Sequence, residues 1–478
     1  MTKNTLYITT TLPYVNADPH IGFALEIVEA DIIARHNRLL GREVFFNTGT
    51  DEHGQKIFEA AQKAGKDVQD YVDYYAAEFR KLKDILGLSN DAFIRTTDAN
   101  HKLAAQEIWR LCDKAGDIYK KAYEGLYCVG CERFLSEKDI VDGSCAIHKK
   151  PPQVLKEENY FFRFSKYADK LLEYLDNPKA IIPEWRRKEA IDFVKSGLED
   201  FSISREKSRL AWGVPVPGDD TQVMYVWFDA LTNYISTLGW PNDSEGKFKK
   251  FWDKGETIQF AGKDQVRFQS LMWQAMLMSA DISTTKSVFY HGFITSGGHK
   301  MSKSLGNVIN PITIIKEYSI DALRYYLARE VAQFEDFDVI MDKFKESYNA
   351  NLANGLGNLV SRVLKMAVSY KVEIPEKVKF LKYPKNEFLD NFEIQKAANA
   401  IWVWISELDG FIETEQPFKK IKTDTVQAKK DIQQLLKGVY EVALALQPFL
   451  PETADKILGA FSGNQAKEIG VLFPRNES

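Results

Sequence analysis

The sequence predicts an α/β fold followed by an all-helical region. A strand–turn–helix opening, a cysteine cluster in mid-chain and a helical periodicity toward the end carry that expectation. Leu6 to Thr10 reads as a short strand, and a turn-rich segment with Pro13, Asn16, Asp18 and Pro19 follows it. Ile21, Leu25, Val28, Ile32 and Leu39 then recur near helical spacing until Gly41 supplies a stop. Strand, turn and helix in this order open a nucleotide-binding α/β unit. From Asp321 the composition turns helical, and Leu352, Leu356, Leu359 and Val363 share one helix face.

Composition narrows the class. A chain of 478 residues is long enough for more than one domain, and its 45% hydrophobic and 27% charged fractions are those of an ordinary globular protein. No apolar run approaches a bilayer span, and MTKNTLYITT has neither a signal-peptide core nor transit-peptide character, so a cytoplasmic protein with no membrane partner is expected. A net charge of -4 excludes a general nucleic-acid coat protein, which draws its affinity from lysine and arginine on phosphates. A local basic face remains compatible with it. The four cysteines stand at 112, 128, 131 and 145, and without an export signal the clustering of the last three points to metal rather than disulfide.

Taken in order, the helix beginning at Ile21 presents backbone N–H groups to an anion; His20 can donate to a phosphate there, and Gly22 lets a ligand approach the backbone. Val44 to Phe46 is an apolar strand that leads into Asn47, Thr48, Gly49, Thr50, Asp51, Glu52, His53 and Gly54. Polar residues at the carboxyl end of a parallel strand are where α/β sheets place ligands. Asp51 is either the holder of a substrate ammonium or an N-cap for a helix over Gln55 to Ala64. Cys128 and Cys131, then Cys145 and His148, form a pair of knuckles whose spacing supplies the tetrahedral nitrogen and sulfur set of a closed, structural Zn2+ site. Cys112 lies outside that pattern on the apolar face of a helical stretch and reads as a core thiol.

Helices are expected over Tyr160 to Leu175 and Ile181 to Glu199, followed by a proline-broken segment from Trp212 to Pro217. In MYVWFDALTNYI, Trp227 and Tyr234 read by themselves as packing aromatics. Ile258 to Ala261 is a strand that ends at Gly262, Lys263 and Asp264; a helix over Arg267 to Met278 and a strand over Phe289 to Ile294 follow. The stretch TSGGHKMSKSLGN, Thr295 to Asn307, then places Lys300 and Lys303 in a glycine-hinged loop that can close over a polyanion.

Lys300, Met301, Ser302, Lys303 and Ser304 match the KMSKS signature of class I aminoacyl-tRNA synthetases, and His20, Ile21 and Gly22 match three positions of their HIGH motif. With TTLPYVN at 10 to 16 and GTDEHG at 49 to 54, the chain resembles the methionyl-tRNA synthetase family from Thr10 to about Phe461. The resemblance implies a doubly wound, Rossmann-like parallel sheet split by a zinc-bearing insertion and followed by an all-α anticodon-binding bundle. It implies a catalytic first half over 1–114, the insertion over 115–222, a second catalytic half over 223–320, a stem-contact linker over 321–347 and the helical domain over 348–478. His20, Gly22, Asp264, Gly292, Lys300, Ser302 and Lys303 would take ATP with its Mg2+, and His20, Lys300 and Lys303 would be catalytic. Leu12, Tyr14, Asp51, Trp227 and Tyr234 would line the methionine pocket, and Asn358, Arg362 and Phe418 would read the anticodon of initiator and elongator tRNA-Met. Lys419, Lys420 and Lys422 would supply phosphate charge, and the lack of an appended oligonucleotide-binding domain implies a monomer.

Two departures from the pattern are visible. Phe23 stands where HIGH has its second histidine and cannot donate a hydrogen bond, and Gln269 replaces a histidine that often faces the substrate. The alternatives are a class I synthetase for another small apolar amino acid and a tRNA-binding paralogue whose catalysis has decayed. The space between residues 100 and 225 is too small for the large editing insertion of the leucine, isoleucine and valine enzymes. Replacing Lys303 by alanine is expected to slow adenylate formation on the order of 10²-fold or more, with a smaller effect on methionine affinity. Pyrophosphate exchange left unchanged by that substitution would remove Lys303 from its role.

Overall fold

The computed structural model describes residues 4–476 apart from positions 17, 132, 136, 148 and 302–306. The chain forms two compact units, Met1–Pro19 with Val44–Lys81 and Asn90–His291, and His20–Glu43 with Leu82–Ser89 and Gly292–Ser478.

The first unit is organised by a six-stranded sheet in the order Ala92–Arg95, Glu43–Thr50, Thr5–Thr10, Glu256–Gly262, Ser287–His291, Ile181–Ile182. Leu6 to Thr10 pair in parallel with Glu256 to Phe260, and Ile258 to Gly262 pair in parallel with Ser287 to His291. Leu6, Tyr7 and Ile8 are fully buried, as a strand covered on both faces requires. From Thr5–Thr10 the chain winds outward to Ala92–Arg95 and later returns on the other side to Glu256–Gly262. That reversal is a topological switch point, and the carboxyl ends of these two central strands mark where such a sheet binds its ligand. The doubly wound parallel sheet expected from the sequence is therefore present.

An antiparallel sheet interrupts it. Ile118–Cys128 pairs with Gln153–Phe162 along nearly its whole length, flanked by Phe201–Ser202 and Arg133–Leu135. The helix expected from Tyr160 is corrected here: Tyr160 to Phe162 finish the strand, and the α-helix is Ala168–Leu175. In QVLKEENYFF, Glu157, Asn159 and Phe161 alternate inward with the period of a strand, Glu157 accepting from Arg209 at 2.7 Å and from Asn159 at 2.8 Å. The next expected helix likewise begins later, as Glu184–Lys195, because Ile181–Ile182 joins the main sheet beside Val288 and Phe289. The strand expected over Phe289 to Ile294 is broken at Gly292 into Ser287–His291 and Ile294–Ser296.

In the second unit the helix Ile21–Leu39 carries a fully buried carboxylate, Asp31. Arg324, also fully buried, meets it at 2.8 Å; Arg35 meets it at 2.8 Å, and the Ser89 N–H and hydroxyl donate to it at 2.7 and 2.6 Å. Arg324 spends its remaining donors on the carbonyls of Phe449, Pro448 and Leu86. One guanidinium thus ties the opening helix to the end of the bundle. The bundle comprises Asn358–Ser369, Ile394–Glu415, Thr425–Leu446 and Pro451–Gly459. Leu352, Leu356, Leu359 and Val363 are buried, so the expected helix face is its core. Gly438 lets two of these helices close: a Cβ there would stand 2.5 Å from Leu408. Among the described residues no helix is long and apolar enough to cross a membrane.

Burial pushes the Asp31 carboxyl up, but Arg324, Arg35 and Ser89 more than offset it and hold the group below its ordinary value. The stability this contributes is present above the unfolded-state value of about 3.9 and is lost as pH falls through the lower folded value. Asp31→Asn, which leaves Arg324 buried without its counter-charge, is expected to lower unfolding free energy by about 3–5 kcal/mol at neutral pH. In denaturant titrations the gap to the unaltered chain should narrow as the solution is acidified below the carboxylate range; a gap that does not change with pH would contradict the assignment.

Candidate active site

At the switch point of the first unit, Thr10 leads to Thr11, Leu12, Pro13 and Tyr14. The Asp51 N–H donates to Pro13 at 3.0 Å and Val15 donates back to Asp51 at 3.3 Å, which seats Tyr14 beside Asp51. Tyr14 meets Trp227 edge to face at 6.2 Å, and Trp227 stacks on Phe268 at 4.1 Å with planes 16° apart. Tyr14, Asp51 and Trp227 are thus brought into one neighbourhood, and Leu12 is buried two residues before Tyr14. The Trp227 indole N–H is buried and meets no acceptor among the described residues. Tyr234 is buried in the core with its ring 5.8 Å from Trp273. Asp264 is exposed on the turn Lys263–Gln265 that follows the other central strand. Gln269 is fully buried, donates to Thr11 Oγ1 at 3.0 Å, and its Oε1 meets no partner among the described residues.

The N-cap alternative for Asp51 is removed, because the helix Gln55–Lys63 is capped by Gly54 without a side-chain bond. Asp51, Glu52 and His53 are instead consecutive buried polar residues, at 2%, 0% and 2% exposure. Glu52 takes a two-pronged bond from Arg95 at 2.7 and 2.8 Å and further bonds from Thr50 and Thr97. His53 Nδ1 lies 2.7 Å from Asp229 on the helix Val226–Ala230, next but one to Trp227, and His101 Nε2 lies 2.8 Å from the other Asp229 oxygen. Burial alone would raise the Asp229 carboxyl; His53 and His101 bring it down to about 2. The sequence puts Glu52 and His53 in the polar run after the strand without showing their partners, and it does not single out Arg95, His101, Asp229 or Phe268. The run of ionisable residues in GTDEHG was the available signal for the first two, whereas nothing local marked the others.

The second unit holds the other motifs. His20 caps the helix Ile21–Leu39, its Nδ1 accepting from the Gly22 N–H at 3.1 Å, which leaves the ring proton on Nε2. Phe23 stacks on His20 at 4.3 Å with planes 29° apart, so the residue that replaces the second HIGH histidine packs against the first. A Cβ on Gly22 would stand 2.9 Å from the His20 ring and 3.7 Å from the Met301 methyl, placing the start of the lysine loop beside this helix start. Ile294–Ser296 and His299–Lys300 form a hairpin across Gly297 and Gly298, both at positive φ. Asp338 secures it by accepting from Gly298 N and Thr295 Oγ1, each at 2.9 Å. Beyond the loop, Asn307 returns to the Ser296 carbonyl at 3.0 Å, and Ile309 accepts from the Ile21 N–H at 3.1 Å. Both flanks are therefore anchored, while Ser302 and Lys303 lie outside the described residues. At Gly292 a Cβ would stand 2.0 Å from the Glu335 carbonyl oxygen, so this glycine permits a close approach of the chain's own backbone.

Cys128 ends the strand Ile118–Cys128, and Cys145 lies in the short strand Ser144–Cys145 paired with Ile140–Val141. The sulfurs of Cys128, Cys131 and Cys145 all lie within 4.8 Å of one another, with Cys131 and Cys145 at 3.6 Å. Sulfurs at the edge of a tetrahedron around a cation held at about 2.3 Å would be roughly 3.8 Å apart, so the set fits a metal ion. Burial and the sulfurs of Cys145 and Cys128 push the Cys131 thiol up, a cost that a bound cation would reverse. His148 lies outside the described residues. Cys112 is a fully buried core thiol, as expected.

In the bundle, Asn358 is exposed at the start of its helix. Arg362, one turn further along, pairs with Asp409 at 2.9 Å and Glu413 at 2.6 Å. Phe418 is half-buried on Pro417–Lys420 with Lys419 above its ring. Lys420 is neutralised by Glu415 and Asp431, which leaves Lys419 and Lys422 as the exposed charges there.

A parallel sheet with a polar switch point, a phosphate-ready helix start beside an anchored lysine loop, and a helical bundle together define a class I tRNA synthetase architecture. The family model described as tRNA synthetases class I (M) matches residues 6–147 and 135–364, and the anticodon binding domain of methionyl tRNA ligase matches 372–470. The methionine–tRNA ligase of Fusobacterium nucleatum subsp. nucleatum is 41% identical over 474 residues, 95% of this chain and 74% of that one. That of Thermotoga maritima is 39% identical over 494 residues, 98% of this chain and 78% of its own. A solved structure of Mycobacterium tuberculosis methionyl-tRNA synthetase in complex with methionyl-adenylate is similar with a TM-score of 0.92 at 36% identity, covering 99% of this chain and 100% of that one. The chain belongs to the methionine–tRNA ligase family.

Cys131→Ser is expected to lower bound metal, measured by plasma mass spectrometry, from about one ion per chain to well below that. An unchanged metal content would place the ion elsewhere.

Proposed function

We propose that this chain is a methionine–tRNA ligase. It activates methionine with ATP and transfers it to the 2′-hydroxyl of the terminal adenosine of tRNA-Met. In the first step a methionine carboxylate oxygen attacks the α-phosphorus of ATP, and pyrophosphate leaves with the electron pair of the broken phosphoanhydride bond. In the second, the adenosine hydroxyl attacks the methionyl carbonyl, AMP leaves, and the hydroxyl proton is lost. No side-chain nucleophile is required, so catalysis rests on positioning and on charges placed where charge develops.

The observation that carries this reading is the neighbourhood of a buried carboxylate, Asp51, with the edge-to-face aromatics Tyr14 and Trp227 at a sheet switch point. Asp51 takes the substrate ammonium, and the Leu12 side chain and the Tyr14 and Trp227 rings take the polarisable thioether, which gains from aromatic contact in a way leucine cannot match. Tyr234 stands behind them, and Asp264 serves the ribose end. His20 donates from Nε2 to the phosphates, with Lys300 and Lys303 on the developing charge, Ser302 in the same loop, and Gly22 and Gly292 along the nucleotide. Mg2+ would accompany ATP and would neutralise phosphate charge beside His20 and the lysine loop. Cys128, Cys131, Cys145 and His148 hold a Zn2+ whose role is to close the knuckle. Asn358, Arg362 and Phe418 meet the anticodon of initiator and elongator tRNA-Met, which requires Arg362 to exchange its carboxylate partners for a base. The site of action is the cytoplasm.

Amino-acid-dependent exchange of pyrophosphate into ATP decides among the readings. Methionine is expected to support exchange at least about 100-fold better than leucine, isoleucine, valine or cysteine, since a built polar and aromatic site discriminates more strongly than a plain apolar one. Preference for another amino acid would identify a different synthetase. Absence of exchange with tRNA binding retained would identify a non-catalytic relative.

A further inference from the structure

The helix Val226–Ala230 bears Trp227 and, next but one along it, the fully buried Asp229. Asp229 Oδ2 is 2.7 Å from His53 Nδ1, and His53 stands next but one to Asp51. Asp229 Oδ1 is 2.8 Å from His101 Nε2, and His101 Nδ1 is 2.9 Å from Ser236 Oγ on Asn233–Ser236, the helix that carries Tyr234. A single carboxylate therefore joins the loop of Asp51, the helix of Trp227 and the helix of Tyr234. The loop is held from its other side as well. Glu52 is gripped by Arg95, the Trp212 indole donates to the Glu52 carbonyl at 2.6 Å, and the Trp212 ring meets the His53 ring edge to face at 5.7 Å.

We propose that Asp229, acting through His53, is a positioning residue for amino-acid selection: it sets the separation between the Asp51 carboxylate and the Trp227 ring. This rests on reading Asp51 and Trp227 as the two ends of the methionine site. Methionine is unbranched, with its thioether at a set reach from the ammonium, so a pocket that fixes both ends rejects side chains that are shorter or branched. A burial this deep is not needed merely to hold a helix to a loop, because an apolar pair of the same volume does so at lower desolvation cost. What the hydrogen-bonded pair adds is a defined distance and direction.

The test uses the full chain in pyrophosphate exchange. His53→Phe keeps the ring and its packing on Trp212 but removes the bond to Asp229, whereas His53→Asn keeps a donor near the Nδ1 position. In His53→Phe the KM for methionine is expected to rise about 10-fold or more while the KM for ATP stays within about twofold, and the preference in kcat/KM for methionine over leucine should narrow. His53→Asn is expected to remain within about threefold of the unaltered chain in the same constants. The proposal is overturned if both KM values rise together, if methionine KM does not move, or if the asparagine variant is no closer to the unaltered chain than the phenylalanine variant. Should His53→Phe not fold, His53→Gln, which carries its amide one methylene too far, replaces it in the same comparison. Loss of folding in all of these variants also overturns the proposal, since the pair would then serve stability alone. An unaltered chain that does not activate methionine sinks the underlying reading; one that does, with unmoved variants, sinks only the positioning role.

Discussion

Three consecutive ionisable residues, Asp51, Glu52 and His53, are buried at the carboxyl end of a central parallel strand, and the first unit is arranged around making that possible. Taking charges out of water costs several kcal/mol each unless they are paired and hydrogen-bonded. Each member has a solution. Glu52 is chelated by Arg95 from the neighbouring strand Ala92–Arg95, and His53 is tied to Asp229. The Asp51 carboxylate accepts from the His53 N–H at 3.4 Å, and its backbone is stitched to Pro13 and Val15. The side chains that pay this desolvation come from well-separated parts of the sequence, so the site exists only when the sheet, the helix Val226–Ala230 and the strand Ala92–Arg95 are all in place.

The second unit meets a parallel demand with different means. Its opening helix is capped by His20, and the Asp31–Arg324 pair with the carbonyls of Phe449, Pro448 and Leu86 fixes that helix from within. The lysine loop is secured at both flanks, by the glycine hairpin on Asp338 and by Asn307 on Ser296. Phe23 shows a further economy. Where the family motif has a second histidine, this chain has a ring that stacks on the first, trading a donor for a fixed orientation of the remaining one.

Much of this was legible in the residues. Periodicity gave the opening strand and helix and the apolar face through Leu352, Leu356, Leu359 and Val363, because local spacing alone determines those. Cysteine spacing gave the sulfur cluster for the same reason. The helix expected from Tyr160 failed because Tyr160, Phe161 and Phe162 pair with Lys120, Tyr119 and Ile118, a contact distant in sequence that no local spacing shows. The partners of Glu52 and His53 were hidden on similar grounds: Arg95, His101 and Asp229 are ordinary charged residues until the sheet brings them together. The engagement of Arg362 by Asp409 and Glu413 was not legible, because it depends on a helix that no local pattern sets beside it.

The most direct measurement is a crystal structure of the full chain with a non-hydrolysable methionyl-adenylate analogue. The account predicts the analogue's ammonium within hydrogen-bonding distance of the Asp51 carboxylate and its thioether against the rings of Tyr14 and Trp227, with His53 still bonded to Asp229. An ammonium held by other groups, or a thioether away from those rings, would contradict it.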